Sequence, residues 1–434
     1  MPHPLLELFP DGTTVDPDGT LVIGGCRVDD LAREFGTPAI VVDEGALRAR
    51  AREYRTALTS RRPNARVVFA SKAFPATAVQ RVMVEEGLGL DVAGGGEILS
   101  ALRAGVDPDL IVMHGNAKTT EELRIATEAG VGIVVVDNED DLDRLERLVP
   151  AGSTQGVLVR VIPGVVSSTH PHVQTGQVGS KFGLTPAAAR RVIARIEASP
   201  VLELRGLHAH VGSQVMDPAE LAAAVAPLAA LGSFPVYDLG GGLGARYTPA
   251  DRPATVDEYV ETLLAAADEH LPAGAEIIIE PGRSMVNASA CTLYTVTTVK
   301  RDARTFVAVD GGMGDNLEAA LFQQRYEAVL AGRMHDEDAE DVVVVGRHCE
   351  SGDVLIDPLR LPAARVGDLL AVPATGAYTH TMANNYNGYR RPPVVFAHDG
   401  EARAVIRRET WEDLFARDEH SPHPSVDMVD IPMG

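Results

Sequence analysis

Residues 67–92 read VVFASKAFPATAVQRVMVEEGLGLDV: two short apolar, β-branched runs, 67–70 and 88–92, separated by a stretch of helical period. A strand, a helix and the next strand within about 25 residues come close to the least that a parallel βαβ crossover requires. The texture repeats. Further apolar runs lie at 110–114, 132–137, 157–163, 204–211, 236–240 and 275–280, with Ala/Leu/Glu/Arg-rich helical stretches between them. Eight near-continuous apolar strands alternating with helices predict a closed (β/α)8 barrel of the α/β class, its strands buried on both faces. An open doubly wound sheet of the same period is the alternative.

After Gly282 the pattern changes. Runs at 291–301, 305–310, 342–348, 353–357, 368–372, 394–398 and 402–408 are short, Val/Thr-rich and joined by Gly, Pro and Asp turns. They predict a separate β-barrel or sandwich. Helical patterning is confined to about 316–332 and 410–417. The strand-like runs 20–23 and 39–42 are expected to join this β-domain in space, with the barrel inserted between. The expected organisation is an N-terminal segment 1–40, a barrel 41–283 and a β-domain 284–434.

Composition narrows the partners. With 434 residues, 45% hydrophobic and 23% charged, the chain suits a folded protein with more than one core. The 61 acidic residues outnumber 39 basic ones, for a net charge of −22. A chain so acidic, with no basic run, is a poor match for a nucleic-acid backbone or an anionic membrane surface. A small molecule held in a local pocket is the expected partner. Cys26, Cys291 and Cys349 match neither a disulfide framework nor a zinc motif. The N-terminus is unlike a signal peptide and no apolar run approaches membrane-spanning length, so a cytoplasmic location is expected. Lysine is rare: Lys72, Lys118, Lys181 and Lys300 are the four in the chain.

In a (β/α)8 barrel the chemistry sits at the C-terminal ends of the strands, and here those ends are polar. They carry Lys72, Asp91, His114, Arg160, the run His208-Ala-His210-Val-Gly-Ser213, Asp238-Leu-Gly-Gly-Gly242 and Glu280-Pro-Gly-Arg283. Singly, each has a plain reading. Lys72 suits a solvated loop, Cys349 a small buried hydrophobe, and Glu280 with Arg283 a surface ion pair. His208 and His210 share a strand face without a carboxylate at ligand spacing, so no metal is expected. The glycines of 240–244 lack the setting of a dinucleotide turn. Together they describe one chemistry. A lysine can form a Schiff base with an aldehyde cofactor. A glycine-rich turn with Ser213 can take a phosphate. An imidazole such as His210 can stack on an aromatic ring, and Glu280 can keep a pyridine nitrogen protonated. That cofactor is pyridoxal 5′-phosphate (PLP).

From about Gly36 to Arg408 the chain resembles the diaminopimelate decarboxylases, fold type III PLP enzymes of the group that includes alanine racemase and ornithine decarboxylase. The motifs are Phe69-Ala-Ser-Lys-Ala-Phe74, His114-Gly-Asn-Ala-Lys118, Ser180-Lys-Phe-Gly183, Gly206-Leu-His-Ala-His-Val-Gly-Ser-Gln214, Glu280-Pro-Gly-Arg283, His348-Cys-Glu-Ser-Gly-Asp353 and Gly376-Ala-Tyr378. The resemblance implies a PLP barrel with a β-domain, a decarboxylase of the lysine-biosynthesis type, and a homodimer with shared active sites. By the same resemblance Lys72 carries the cofactor, Asp91 and Arg160 lie near it, His210 stacks on its ring and Glu280 partners the ring nitrogen. Ser213, Gly240, Gly241, Gly242, Gly282, Arg283 and Tyr378 cradle the phosphate, with Arg283 and Tyr378 also reaching substrate. Cys349, as proton donor, and Glu350, as amine binder, enter from the second subunit. Racemases of this fold use a tyrosine from the partner instead, and PLP-carrier proteins lack the β-domain.

One stretch departs from the family. Where it usually reads Asp-Asn-Pro-Arg-Pro-x-Leu-Tyr, this chain reads Asp315-Asn-Leu-Glu-Ala-Ala-Leu-Phe322. The family arginine and tyrosine help hold the distal carboxylate of diaminopimelate, and here those positions are Glu318 and Phe322. Two unit charges 4 Å apart interact by about 4 kcal/mol at an effective dielectric near 20. Reversing the sign is therefore enough to change substrate preference, and a specialised paralogue acting on another diamino or biosynthetic-pathway amino acid is the alternative expectation. The loop before Lys181 also differs, reading Ser168-Thr-His170 for the usual His-Thr-His.

Overall fold

A computed structural model describes residues 3–165, 176–177 and 179–419; the 168–170 departure lies outside them. Eight parallel strands close into a barrel in chain order: Arg66–Ala70, Gly89–Val92, Ile111–Met113, Ile133–Val136, Gln155–Arg160, Leu202–His208, Val236–Asp238 and Glu276–Ile279. The last strand returns to the first through Ile278 opposite Arg66 and Ile279 opposite Val67. The open doubly wound alternative is therefore excluded. Strand alternation separates two cores. Val68, Val112, Val135, Leu158, Val236 and Ile278 come from six strands and meet inside the barrel. Their neighbours Val67, Phe69, Val134 and Ile277 face the helix layer.

That layer is punctuated as the sequence suggests. Thr119 with Glu122, and Thr255 with Glu258, form capping boxes on the helices Thr120–Ala129 and Val256–His270. The ring is completed by Glu44–Arg61, which precedes the first strand yet packs against Val256–His270. One glycine is dictated by backbone approach. A Cβ on Gly206, where the sixth strand shifts register, would sit 1.8 Å from the Val236 carbonyl oxygen.

Beyond the eighth strand, the short helix Arg283–Val286 leads into a mixed sheet. Its centre is the twelve-residue strand Ala290–Arg301, paired with Thr305–Val309, Leu369–Pro373 and Ala39–Asp43. Ala39–Asp43 also pairs in parallel with Val394–His398, so the run before the barrel does enter this sheet. The run at 20–23 does not. Leu21–Ile23 forms a small sheet with Thr14–Val15 and Cys26–Arg27. It packs on the larger sheet through Leu21, Ile23, Cys291, Leu293 and Val395. Its attachment is a bond from the Leu21 N–H to the Ala331 carbonyl of 2.7 Å.

A second departure concerns the helix expected over 316–332. Only Leu317–Phe322 is helical; Gln323 turns left-handed at φ 53°, and Val329–Leu330 is a strand. The reason is tertiary. Tyr326 is buried and its hydroxyl reaches Glu318 at 3.2 Å. In a continuous helix eight residues advance about 12 Å along the axis, which would carry that hydroxyl away. The β-domain also reaches the barrel mouth, where the Tyr378 N–H donates to the Ala73 carbonyl at 2.8 Å.

Candidate active site

A cavity of about 400 Å3 opens at the C-terminal ends of the strands, within the usual range for small-molecule sites of about 300–1,000 Å3. Lys72, His210, Ser213, Glu280 and Arg283 line it from the barrel, and Glu318, Phe322 and Tyr378 from the β-domain. A larger groove of about 840 Å3 lies on the other side of the helix Leu317–Phe322, against the turn at 352–358. None of the candidate catalytic, cofactor-binding or substrate residues named from the sequence lines it.

Lys72 sits in a single 3-10 turn, Ser71–Ala73, directly after the first barrel strand. That turn is held on both sides, by Ala70 N–H to the Pro281 carbonyl at 3.1 Å and by Tyr378 N–H to Ala73. The amine is open to the cavity. Withdrawal from bulk water opposes its ammonium form, but Asp91, Tyr378 and Glu280 outweigh that and raise its pKa. Not every lysine in an apolar setting is reactive: Lys118 is buried against Asp141 at 2.8 Å and the Gly115 carbonyl at 2.6 Å, a structural tie.

Behind the cavity, five strand ends converge. His114 Nε2 lies 2.5 Å from Glu280 Oε1, and His208 Nε2 lies 3.4 Å from Glu280 Oε2. The two imidazole rings meet edge-on at 4.7 Å, and Asp91 is 3.8 Å from His114. Burial favours a neutral Glu280, but His114 and His208 override it and hold the carboxyl well below its ordinary range. Burial pushes His208 down to about 3, leaving its imidazole neutral near pH 7. Burial, reinforced by Glu280, keeps Asp238 protonated far above the usual carboxylate range. The cluster thus places its negative charge on Glu280. Oε1 of Glu280 is buried with the His114 ring nitrogen as its close neighbour, and a carboxylate oxygen can accept about two hydrogen bonds, which leaves capacity at the cavity wall. Ligand atoms of His114, His208, Asp238 and Glu280 lie within 4.8 Å of one another, a spacing that a cation could also use.

His210 lies beyond the sixth strand. Burial and the positive charge of Lys72 lower its pKa well below the ordinary value, so the ring is neutral, and its Nδ1 accepts from the Gly241 N–H at 3.3 Å. The glycine-rich turn is partly spent: Gly240 donates to Asp238 Oδ1 at 2.9 Å, and Gly241 to His210. Gly242 and Gly282 line the cavity. A Cβ on Gly241 would fall 2.0 Å from the Glu280 carbonyl oxygen, so only glycine lets the seventh and eighth strand ends approach this closely. Arg160 lines the cavity as well, its guanidinium 4.5 Å over the Phe182 ring and 3.8 Å from Asp137.

Arg283 is almost fully committed. Its Nε donates to Ser213 at 3.2 Å, Nη1 and Nη2 donate to Glu318 at 3.1 and 2.8 Å, and Nη1 also bonds the Tyr247 hydroxyl. The Tyr378 ring lies 4.6 Å beneath it. Glu318 therefore faces the cavity from within the same chain. Cys349 and Glu350 are elsewhere. Both are exposed and neither lines this cavity, so the plain expectation of a buried Cys349 is wrong. Their loop is braced by His348 Nδ1 to Asp353 at 2.8 Å, and by His348 stacking on Tyr386.

The sequence reading brought Lys72, Asp91, Arg160, His210, Ser213, Glu280, Arg283 and Tyr378 to one place. It missed the support of Glu280 by His114, His208 and Asp238, although their positions at strand ends were a usable signal. It also missed Tyr247 and Tyr326, whose hydroxyls bond Glu318; nothing local marks either.

The sequence model of a family described as "Pyridoxal-dependent decarboxylase, pyridoxal binding domain" matches residues 44–287. The chain belongs to the pyridoxal-dependent decarboxylases. A diaminopimelate decarboxylase of Bacillus subtilis is 43% identical over 95% of this chain and 98% of its own. One from Actinosynnema pretiosum is 45% identical over 96% and 97%. Among solved structures, the diaminopimelate decarboxylase of M. jannaschii superposes with a TM-score of 0.89 at 29% identity, covering 95% of this chain and 99% of its own. This decarboxylase is thus a PLP-dependent carboxy-lyase of fold type III. The site fits the cofactor on its own terms: an amine open to the cavity, a buried ionised carboxylate on Glu280 at the cavity wall, a neutral imidazole, and a serine beside the narrow glycine passage.

Proposed function

We propose that the protein removes the α-carboxylate of a diamino acid as CO2, in the manner of the diaminopimelate decarboxylases it is similar to. The observation that carries this reading is Lys72 and the ionised Glu280 on the walls of one cavity. PLP, when bound, supplies an electron sink for the pair left by departing CO2. Lys72 holds the cofactor through its amine. Glu280 keeps a proton on the ring nitrogen, and His114 and His208 orient its carboxylate for that task. His210 covers the ring, while Ser213, Gly242 and Gly282 receive the phosphate, Asp91 and Arg160 set the charge around Lys72, and Tyr378 closes the mouth. The buried quartet around Glu280 serves the ring nitrogen and holds no metal; metal analysis of the purified protein checks this.

The proton that replaces CO2 at the α-carbon comes from Cys349. Its exposure, and that of Glu350, supports a homodimer in which this loop completes the neighbouring subunit's cavity. The working unit is then a barrel with a β-domain whose sheet includes Ala39–Asp43, so the boundary expected at residue 41 falls inside that strand. Among the described residues no helix is long and apolar enough to cross a membrane, and the net charge of −22 disfavours anionic surfaces; we place the protein in the cytoplasm. The test is CO2 release by the PLP-loaded protein from a panel of diamino acids. Release from at least one, with racemisation of none, supports the reading; release from none refutes it.

A further inference from the structure

Glu318 is 1% exposed, yet it belongs to the cavity wall. Oε1 accepts from Arg283 Nη2 at 2.8 Å; Oε2 accepts from Arg283 Nη1 at 3.1 Å, Tyr247 at 3.3 Å and Tyr326 at 3.2 Å. A guanidinium forked onto a carboxylate, with hydroxyls closing around it, is what a site offers to a carboxylate ligand. Here the protein supplies that carboxylate itself. Arg283 has little left to offer, since its Nε is bonded to Ser213 and Nη1 also to Tyr247.

A substrate with a second carboxylate at its far end meets two obstacles. It must approach a buried negative charge, and to take Arg283 it must leave Glu318 desolvated and unpaired, an arrangement strongly disfavoured in a protein interior. A hydrogen-bond donor meets neither. A carboxylate oxygen accepts about two hydrogen bonds, and Oε1 has used one. Phe322 beside it offers an apolar wall suited to a methylene chain and no hydroxyl for an anion.

We propose that Glu318 is a specificity-determining residue: it fills the anion seat on Arg283, so the substrate is a diamino acid with a single carboxylate, the one it loses, and an ammonium group at its far end. This rests on the carboxy-lyase reading above. The carbon–carboxylate bond breaks, CO2 leaves, and a proton bonds to the α-carbon; the product is a diamine bearing no carboxylate.

Two measurements test this on the PLP-loaded protein. The first compares kcat/KM for CO2 release from L-lysine and L-ornithine with that from meso-diaminopimelate. The better monocarboxylate is expected to exceed the dicarboxylate by about 100-fold or more, and E318Q to narrow that ratio at least about tenfold. The second titrates two inert probes calorimetrically, 1,5-diaminopentane and 6-aminohexanoate, which differ in one end group. The diamine is expected to bind about tenfold tighter to the unmodified protein, with the preference lost in E318Q. Faster release from meso-diaminopimelate, or tighter binding of the amino-carboxylate, overturns the proposal while leaving the carboxy-lyase reading intact. If none of these amino acids yields CO2, the carboxy-lyase reading falls, and the unmodified protein's probe preference still decides the role of Glu318.

Discussion

Lys72 and Glu280 follow neighbouring, directly paired barrel strands and line one cavity, and the role proposed for Lys72 can be tested by itself. Alanine at Lys72 removes the amine that the proposed function assigns to capture of the cofactor aldehyde; Lys181 also lines the cavity, and it leaves a second amine that the variant tests. K72A is expected to lose the cofactor's protein-bound absorbance band together with turnover, by about three orders of magnitude or more. A K72A protein that keeps the band at full intensity would contradict the assignment. Asp315 offers a different kind of test. Burial raises its carboxyl to about 7, with Arg347 acting the other way, against an ordinary value near 3.8. Between these two pH values the folded chain binds the proton more than the unfolded one does, so Asp315 lowers stability as pH rises and lowers it fully above 7. D315N keeps an acceptor for the Gly312 N–H now bonded to Asp315 and cannot ionise. Relative to the unmodified protein it is expected to gain stability from pH 4 to pH 7, by up to about 4 kcal/mol, read by chemical denaturation at each pH. Such environments are invisible in sequence: Lys72 could be singled out because barrel chemistry is confined to strand ends, whereas the Asp315 carboxyl is perturbed by burial that only the folded chain creates.

At the scale of elements, the barrel was legible because its signals are local and repeat. Each strand is an apolar run that its parallel neighbours require, and the helical stretches between recur at one period; closure itself was left open by the pattern and is set by the pairing of Ile278 and Ile279 with Arg66 and Val67. The segment 316–332 was not legible because two requirements compete in it. Its residues favour a helix, but Glu318 and Tyr326 bond each other only if the chain reverses between them, and Gln323 at φ 53° makes that reversal. A left-handed conformation costs an L-residue about 1–2 kcal/mol, part of which glycine's greater unfolded-state freedom takes back. Q323G is therefore expected to stabilise the protein by about 0.5–1 kcal/mol. Destabilisation in a urea titration would show that the Gln323 side chain does more than occupy the turn. The run 20–23 does join the β-domain in space, packing on it through Leu21 and Ile23, but strand texture does not say that it pairs within a small sheet of its own.

For the whole molecule, the decisive question is how Cys349 meets a cavity that it does not line in its own chain. In the proposed homodimer the cavity of one subunit contains Lys72 and the exposed loop of the other brings Cys349, so the two residues of one working site would come from different chains. C349A is expected to bind cofactor normally and turn over slowly. Mixing K72A and C349A subunits under conditions that exchange them yields hybrids with one site intact and one doubly defective. Random assortment makes about half of the dimers hybrid, so about a quarter of the unmodified activity should appear, well above either parent alone. If both residues served a site within one chain, every site in every hybrid would carry one defect and mixing would restore nothing. The same mixture thus separates a shared site from a self-contained one, independently of which diamino acid the cavity prefers.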